Sequence, residues 1–132
     1  MTDRLVYRAD AIAAITMGSA LLFVATPLTT LAGWSLPPAF LFGVGVFLVP
    51  WAGFNAWVAV QPSVPMWAAL VHLLVDGSWV IGSVALLLAH GSTMSPVGIV
   101  LLLGQALSVL GVFALKLGPV VRPISLADRT KE

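Results

Sequence analysis

The stretch "AALVHLLVDGSWVIGSVALLLAH", residues 68–90, sets a histidine and an aspartate inside an otherwise apolar run. His72 and Asp76 stand four residues apart, so on a helix they share one face. An imidazole and a carboxylate in that relation suit a hydrogen-bonded pair, a proton relay or general acid–base work. No basic residue lies close to Asp76 in sequence. A lone carboxylate at the middle of a bilayer costs on the order of several kcal/mol. Asp76 is therefore expected to face other helices, either as a protonatable or ligand-contacting group or as a structural hydrogen bond.

Few other side chains in the apolar runs can meet it. Folding adjacent runs about their short connections brings Asn55 to the depth of His72 and Gln105 to within about one turn of Asp76. Pro50 falls near the same depth and leaves the Val46 carbonyl without its helical N–H, an acceptor for a protonated aspartate. Trp51 and Trp79 lie deep in their runs, where an indole N–H needs a partner. The candidate ligand or proton site is thus Asp76, His72, Asn55 and Gln105, walled by Trp51 and Trp79. Asn55 and Gln105 read equally as hydrogen bonds between helices. Trp34, Trp57 and Trp67 fall near the ends of the runs, where indoles anchor helices at an interface.

Several chemistries are poorly served. His72 and His90 share a face but stand eighteen residues apart, about 27 Å on a helix, so one haem cannot join them. His72 and Asp76 alone are too few ligands for a closed metal site. Without cysteine there is no thiolate, iron–sulfur or disulfide chemistry. Gly43 and Gly45 in "FGVGVF" precede no helix start, so they form no nucleotide loop. No catalytic set is expected, and no cofactor or metal.

The elements that must position these residues are membrane helices. Of the 132 residues, 60% are hydrophobic and 8% charged, against about a quarter charged in soluble domains. Four apolar runs, about 10–32, 38–60, 66–90 and 96–117, reach the length of about 20 residues that a helix needs to cross a bilayer. "GWSLP", "QPSVP" and "GSTMS" join them as turn formers. The expected fold is all-α, one domain over 1–132, an antiparallel bundle of four transmembrane helices. The ten-residue alternation of barrel strands is absent. The first run is too long for a signal-peptide core and reads as an uncleaved anchor.

Arg4 and Arg8 precede the first run, while Lys116, Arg122, Arg129 and Lys131 end or follow the fourth. No Lys or Arg stands between them. The positive-inside rule then puts both termini on the cytoplasmic side of an inner (plasma) membrane. The tail "GPVVRPISLADRTKE" is expected to rest on anionic head groups. So thin a spread of charge leaves no nucleic-acid footprint. Small residues on the third run (Ser78, Gly82, Ala85, Ala89) and the fourth (Gly104, Ser108, Gly111) predict close helix packing.

The four-run layout, the charge-free connections and "HLLVDGSWVIGSVALLL" resemble small four-helix integral membrane proteins of bacteria. That resemblance implies the layout and brings no activity with it. Small multidrug transporters also have four helices but keep their essential carboxylate in the first span, where this sequence has only Asp10, at its edge. The leading functional expectation is a non-enzymatic accessory or assembly subunit, or a homo-oligomeric bundle, with the lipid bilayer and a larger membrane complex or further copies as partners. The alternative is a proton-linked carrier or binder of a small lipophilic molecule, centred on Asp76 and His72.

Overall fold

The computed structural model describes residues 2–121 and 129. It consists of four helices: α1 (Asp3–Ala32), α2 (Pro38–Ala59), α3 (Met66–His90) and α4 (Pro96–Lys116). After a turn at Leu117 the chain is helical again to 121. All four are long and apolar enough to cross a membrane.

The helix ends follow local chemistry. Thr2 caps α1, its hydroxyl accepting from the Leu5 N–H, and Asp3 sits in the first turn where the helix dipole favours an anion. This cap starts α1 at Asp3 rather than near residue 10, so it brings Tyr7 and Arg8 into the helix and sets Asp10 well inside it. Gly33 ends it at φ 70°, in the left-handed region, its N–H donating to the Thr29 and Thr30 carbonyls. Proline begins α2 and α4, where its missing N–H is harmless. Pro27 breaks the regular α1 backbone one turn earlier, at Val24 (φ −124°, ψ 24°).

α1 packs most extensively on α2, α3 packs on α4, and α1 also meets α4. The α1–α2 approach depends on two glycines. A Cβ at Gly45 would stand 2.9 Å from the Gly18 carbonyl oxygen, and one at Gly18 would stand 3.0 Å from the Leu48 Cβ. The α1–α4 approach depends on Gly98, where a Cβ would lie 2.6 Å from the Ala32 carbonyl oxygen. Ser95 ties the last connection to the end of α1, its N–H donating to the Ala32 carbonyl at 2.8 Å.

Of the two glycines in "FGVGVF", Gly45 brings helices together and Gly43 does not. A Cβ at Gly43, Gly82, Gly104 or Gly111 meets nothing within 4 Å. Ser78, Gly82, Ala85 and Ala89 are exposed, as are Gly104, Ser108 and Gly111. Small size permits close approach, but the partner helix packs elsewhere.

Large apolar side chains face outward while a few polar ones are fully buried. Phe23 is 88% exposed, Leu88 82% and Ile81 72%, while Asn55, His72 and Lys116 are each 0% exposed. From residue 122 onward, all of the tail expected on head groups except Arg129 lies outside the described residues.

Candidate functional site

The buried polar residues converge on one ammonium. Lys116, at the end of α4, places Nζ 2.6 Å from Asp10 Oδ2 and 2.9 Å from Asp76 Oδ2. The same atom lies 2.9 Å from His72 Nδ1 and 3.2 Å from Asn55 Oδ1. The start of α1, the end of α2, the start of α3 and the end of α4 thus meet at one level. An ammonium has three N–H groups and no acceptor, so its four oxygen and nitrogen neighbours are arranged around one shared donor set.

The network fixes His72. Since Lys116 can only donate, His72 Nδ1 accepts and its ring proton resides on Nε2. That Nε2, like the Tyr7 hydroxyl, is buried with no hydrogen-bond partner among the described residues. Tyr7 stands edge-on to the His72 ring at a centroid distance of 4.8 Å. Trp51 and Phe54 flank the imidazole at 4.3 and 4.5 Å. The Lys116 cation also lies 4.9 Å from the Tyr7 ring and 5.6 Å from that of Trp51, within reach of cation–π attraction. Asn55 is held by its own helix, its amide donating to the Trp51 carbonyl at 3.1 Å.

Lys116 is therefore not the flanking, head-group charge that its place near the end of the fourth run suggests. Asp10, placed at the edge of the expected first span, pairs with the lysine. Asp76 engages Lys116 rather than the carbonyl expected to be freed by Pro50. Asp10, His72 and Asp76 bring three potential metal-ligand atoms within 4.8 Å of one another. The ammonium bonds all three, so this donor set holds a cation of its own and does not fit a metal as arranged.

Trp79 and Gln105 belong to a second polar group. Trp79 Nε1 donates to Gln105 Oε1 at 2.6 Å, and Gln105 Nε2 donates to Ser83 Oγ at 2.8 Å and to the Leu102 carbonyl at 3.0 Å. Gln105 and Lys116 share the inward face of α4, but eleven residues separate them by about 16 Å along the axis.

Beside this second group lies a cavity of about 930 Å³ with walls from all four helices, among them Leu21, Leu48, Phe47, Trp79, Gly82 and Leu102. Trp34 lines it too, with its Nε1 buried and unpartnered among the described residues. An aromatic chain runs from the charged cluster to this wall. His72 touches Trp51, Trp51 stacks on Phe47 at 5.8 Å, and Phe47 stacks on Trp79 at 6.3 Å. Val75, next to Asp76, also faces the cavity.

Sequence reasoning found His72, Asp76, Asn55 and Trp51 but missed Lys116, Asp10 and Tyr7. The signal for Lys116 was its setting: "FALKLGPVV" continues apolar beyond the lysine, so the helical span does not stop there. Comparison with family models, with curated proteins and with solved structures gives no match for this chain.

Proposed function

We propose that this chain is a multi-pass membrane protein that binds a small lipophilic molecule in its central cavity and links that binding to a proton held by the Lys116 cluster. In this reading the helices alternate in direction across a bacterial inner membrane, with both termini cytoplasmic. The outward apolar side chains and inward polar ones support insertion, because lipid solvates the former and not the latter. With Lys116 buried, Arg4, Arg8, Arg122, Arg129 and Lys131 still lie beyond the apolar runs at one end, which supports the orientation.

The observation that carries the binding role is the cavity. About 930 Å³ falls within the range of ligand sites, roughly 300–1,000 Å³, and its walls are apolar and aromatic with a few convergent polar groups. The proton follows from counting charge. Two carboxylates face one ammonium while His72 is neutral, so the cluster carries one negative charge in excess. Excess charge away from water is costly, and one shared proton removes it. The chain of rings from His72 to Trp79 supplies the packed connection through which a filled cavity shifts the cluster.

The test uses Gly82, a cavity-wall residue where an added Cβ meets nothing within 4 Å. Protein purified from membranes in mild detergent should retain a lipophile detectable by mass spectrometry. Gly82→Phe should lose it while melting at the wild-type temperature. Equal recovery from both proteins, or none from wild type, removes the binding role.

One observation favours a second reading, an accessory or assembly subunit or a homo-oligomer. The α4 face bearing Gly104, Ser108 and Gly111 is exposed, and such faces suit close helix association. Crosslinking in native membranes that recovers only monomer would count against it.

A further inference from the structure

Resting on the binding role above, the place where the cavity opens identifies what fills it. α1 packs on α2 and on α4, and α3 packs on α4, but α2 and α3 are not a closely packed pair. Near Lys116, aromatic rings bridge the gap between these two, Phe54 stacking on Trp67 at 5.8 Å. The last ring contact along the gap is Phe47 on Trp79, at 6.3 Å. At the far end Ser35 Oγ and His90 Nδ1 lie 3.1 Å apart and tie the first connection to the end of α3. Between those two contacts no hydrogen bond or ring contact joins α2 to α3 among the described residues. A window remains there. Phe47 on α2 and Gly82 on α3, both exposed and both on the cavity wall, stand at its two sides.

In a membrane this window opens on lipid hydrocarbon. The cavity runs along α3 from Leu74 to Leu86, twelve residues or about 18 Å. That is slightly more than one leaflet of a hydrocarbon core about 30 Å thick. Its outer end lies by Trp34 and Met94, in the first and third connections, so it reaches from one membrane face to mid-depth.

What the wall offers is almost entirely apolar. No ionisable side chain lines it. Trp79, Ser83 and Gln105 bond one another, and Trp34 Nε1 is sealed from the space. Apolar walls left without a partner forfeit their dispersion contacts, and hydrocarbon restores them without losing hydration. Polar groups stand at the mouth instead. Ser35, Ser92 and Thr93 are exposed there with His90, and neither connection carries a charge. We propose that the cavity holds one acyl chain of a membrane lipid, admitted through the window between α2 and α3, with its head group beside Ser35 and His90.

The test places the protein in phosphatidylcholine nanodiscs with a trace of phosphatidylcholine whose acyl chain carries a diazirine, either near the ester or near the chain end. After irradiation, adducts are located by mass spectrometry. In wild-type protein the chain-end label should mark Val75 and Trp79, and the near-ester label Leu41 and Leu86, a readout that requires no variant. Gly82→Phe should cut both sets about tenfold, within the range that overpacking a filled site brings. Labelling of the outward Phe23 and Leu88 should stay as in wild type. Gly111→Phe, on the exposed face of α4 and off the cavity, should spare both sets.

Adducts confined to outward residues such as Phe23 and Leu88, or wall adducts undiminished in Gly82→Phe, overturn the acyl-chain assignment. So does a chain-end label that marks Leu41 and Leu86 in place of Val75 and Trp79, which puts the head group at the wrong end. Wild-type protein that shows no wall adducts, yet yields a co-purifying lipophile that Gly82→Phe loses, overturns the ligand class and leaves cavity binding intact. If Gly82→Phe keeps that lipophile, the binding role itself fails.

Discussion

The two ends of this four-helix protein are built on opposite rules. Around Lys116, all four helices send polar side chains to one point, and aromatic rings fill the space about it. Around Gly82 and Trp34, the same four helices stand apart and leave a half-open cavity between them. α3 serves both: His72 and Asp76 are buried at its start, whereas Leu74, Gly82 and Leu86 face the open space. The difference lies in what can bridge the helices. α2 is closely packed on α1 and α3 on α4, but α2 and α3 are not a closely packed pair. At the charged end Asn55 and the Trp51 and Phe54 rings close that gap through Lys116 and His72. At the other end apolar side chains line it without filling it.

The largest expected effect comes from breaking the charged end. Lys116→Met leaves two carboxylates without their cation and should cost about 3–5 kcal/mol, the usual penalty for halving a buried ion pair. Unfolding by steric trapping in nanodiscs measures it. Adding Asp76→Asn to Lys116→Met should restore at least half of the loss, because removing both partners is much cheaper than removing one. A double variant no better than the single would mean that Asp10, and not Asp76, is the main counter-charge.

Next comes the α1–α2 approach that holds both ends in register. Gly45→Ala drives a methyl group toward the Gly18 carbonyl and should cost about 1–3 kcal/mol by overpacking. Gln105→Leu acts at the cavity wall only. It leaves the Trp79 N–H unpaired and should cost about 1 kcal/mol, without altering the charged cluster. The smallest effect should be at Gly111, on an exposed face with open space around it. Gly111→Ala should be neutral or stabilising by about 0.5–1 kcal/mol through helix propensity. A large loss there would point to a partner seated on that face.

Much of the fold was legible because bilayer-length apolar runs are hard to read otherwise. Three of the four runs match their helices within a residue at each end. The exception, α1, starts early because Thr2 and Asp3 make a helix start that hydropathy does not register. The face of α3 shared by His72 and Asp76 was legible from their spacing, and both are buried. The identity of the Asp76 partner was not. A lysine at the end of an apolar run is ordinarily taken to reach its ammonium outward to water. Whether it reaches out or in depends on helix rotation, which residue types do not fix. Gln105 bonds Trp79 and Ser83, one and two turns along α3 from Asp76, and not Asp76 itself. Its spacing from Lys116 gives both an inward face, but one helix cannot bring both to the same level. Tyr7 was hidden by the late start expected for the first helix, which also left Asp10 at the edge of the span rather than inside it.

The most direct measurement is infrared difference spectroscopy of the protonated carboxyl band in nanodiscs, between about pH 5 and 8, where functional proton groups commonly work. Wild-type protein should show such a band, and the Asp10→Asn/Asp76→Asn double variant should lack it. Filling the cavity by Gly82→Phe should change its position or intensity. A wild-type spectrum with no protonated carboxyl, or one identical in Gly82→Phe, would contradict a proton linked to the cavity.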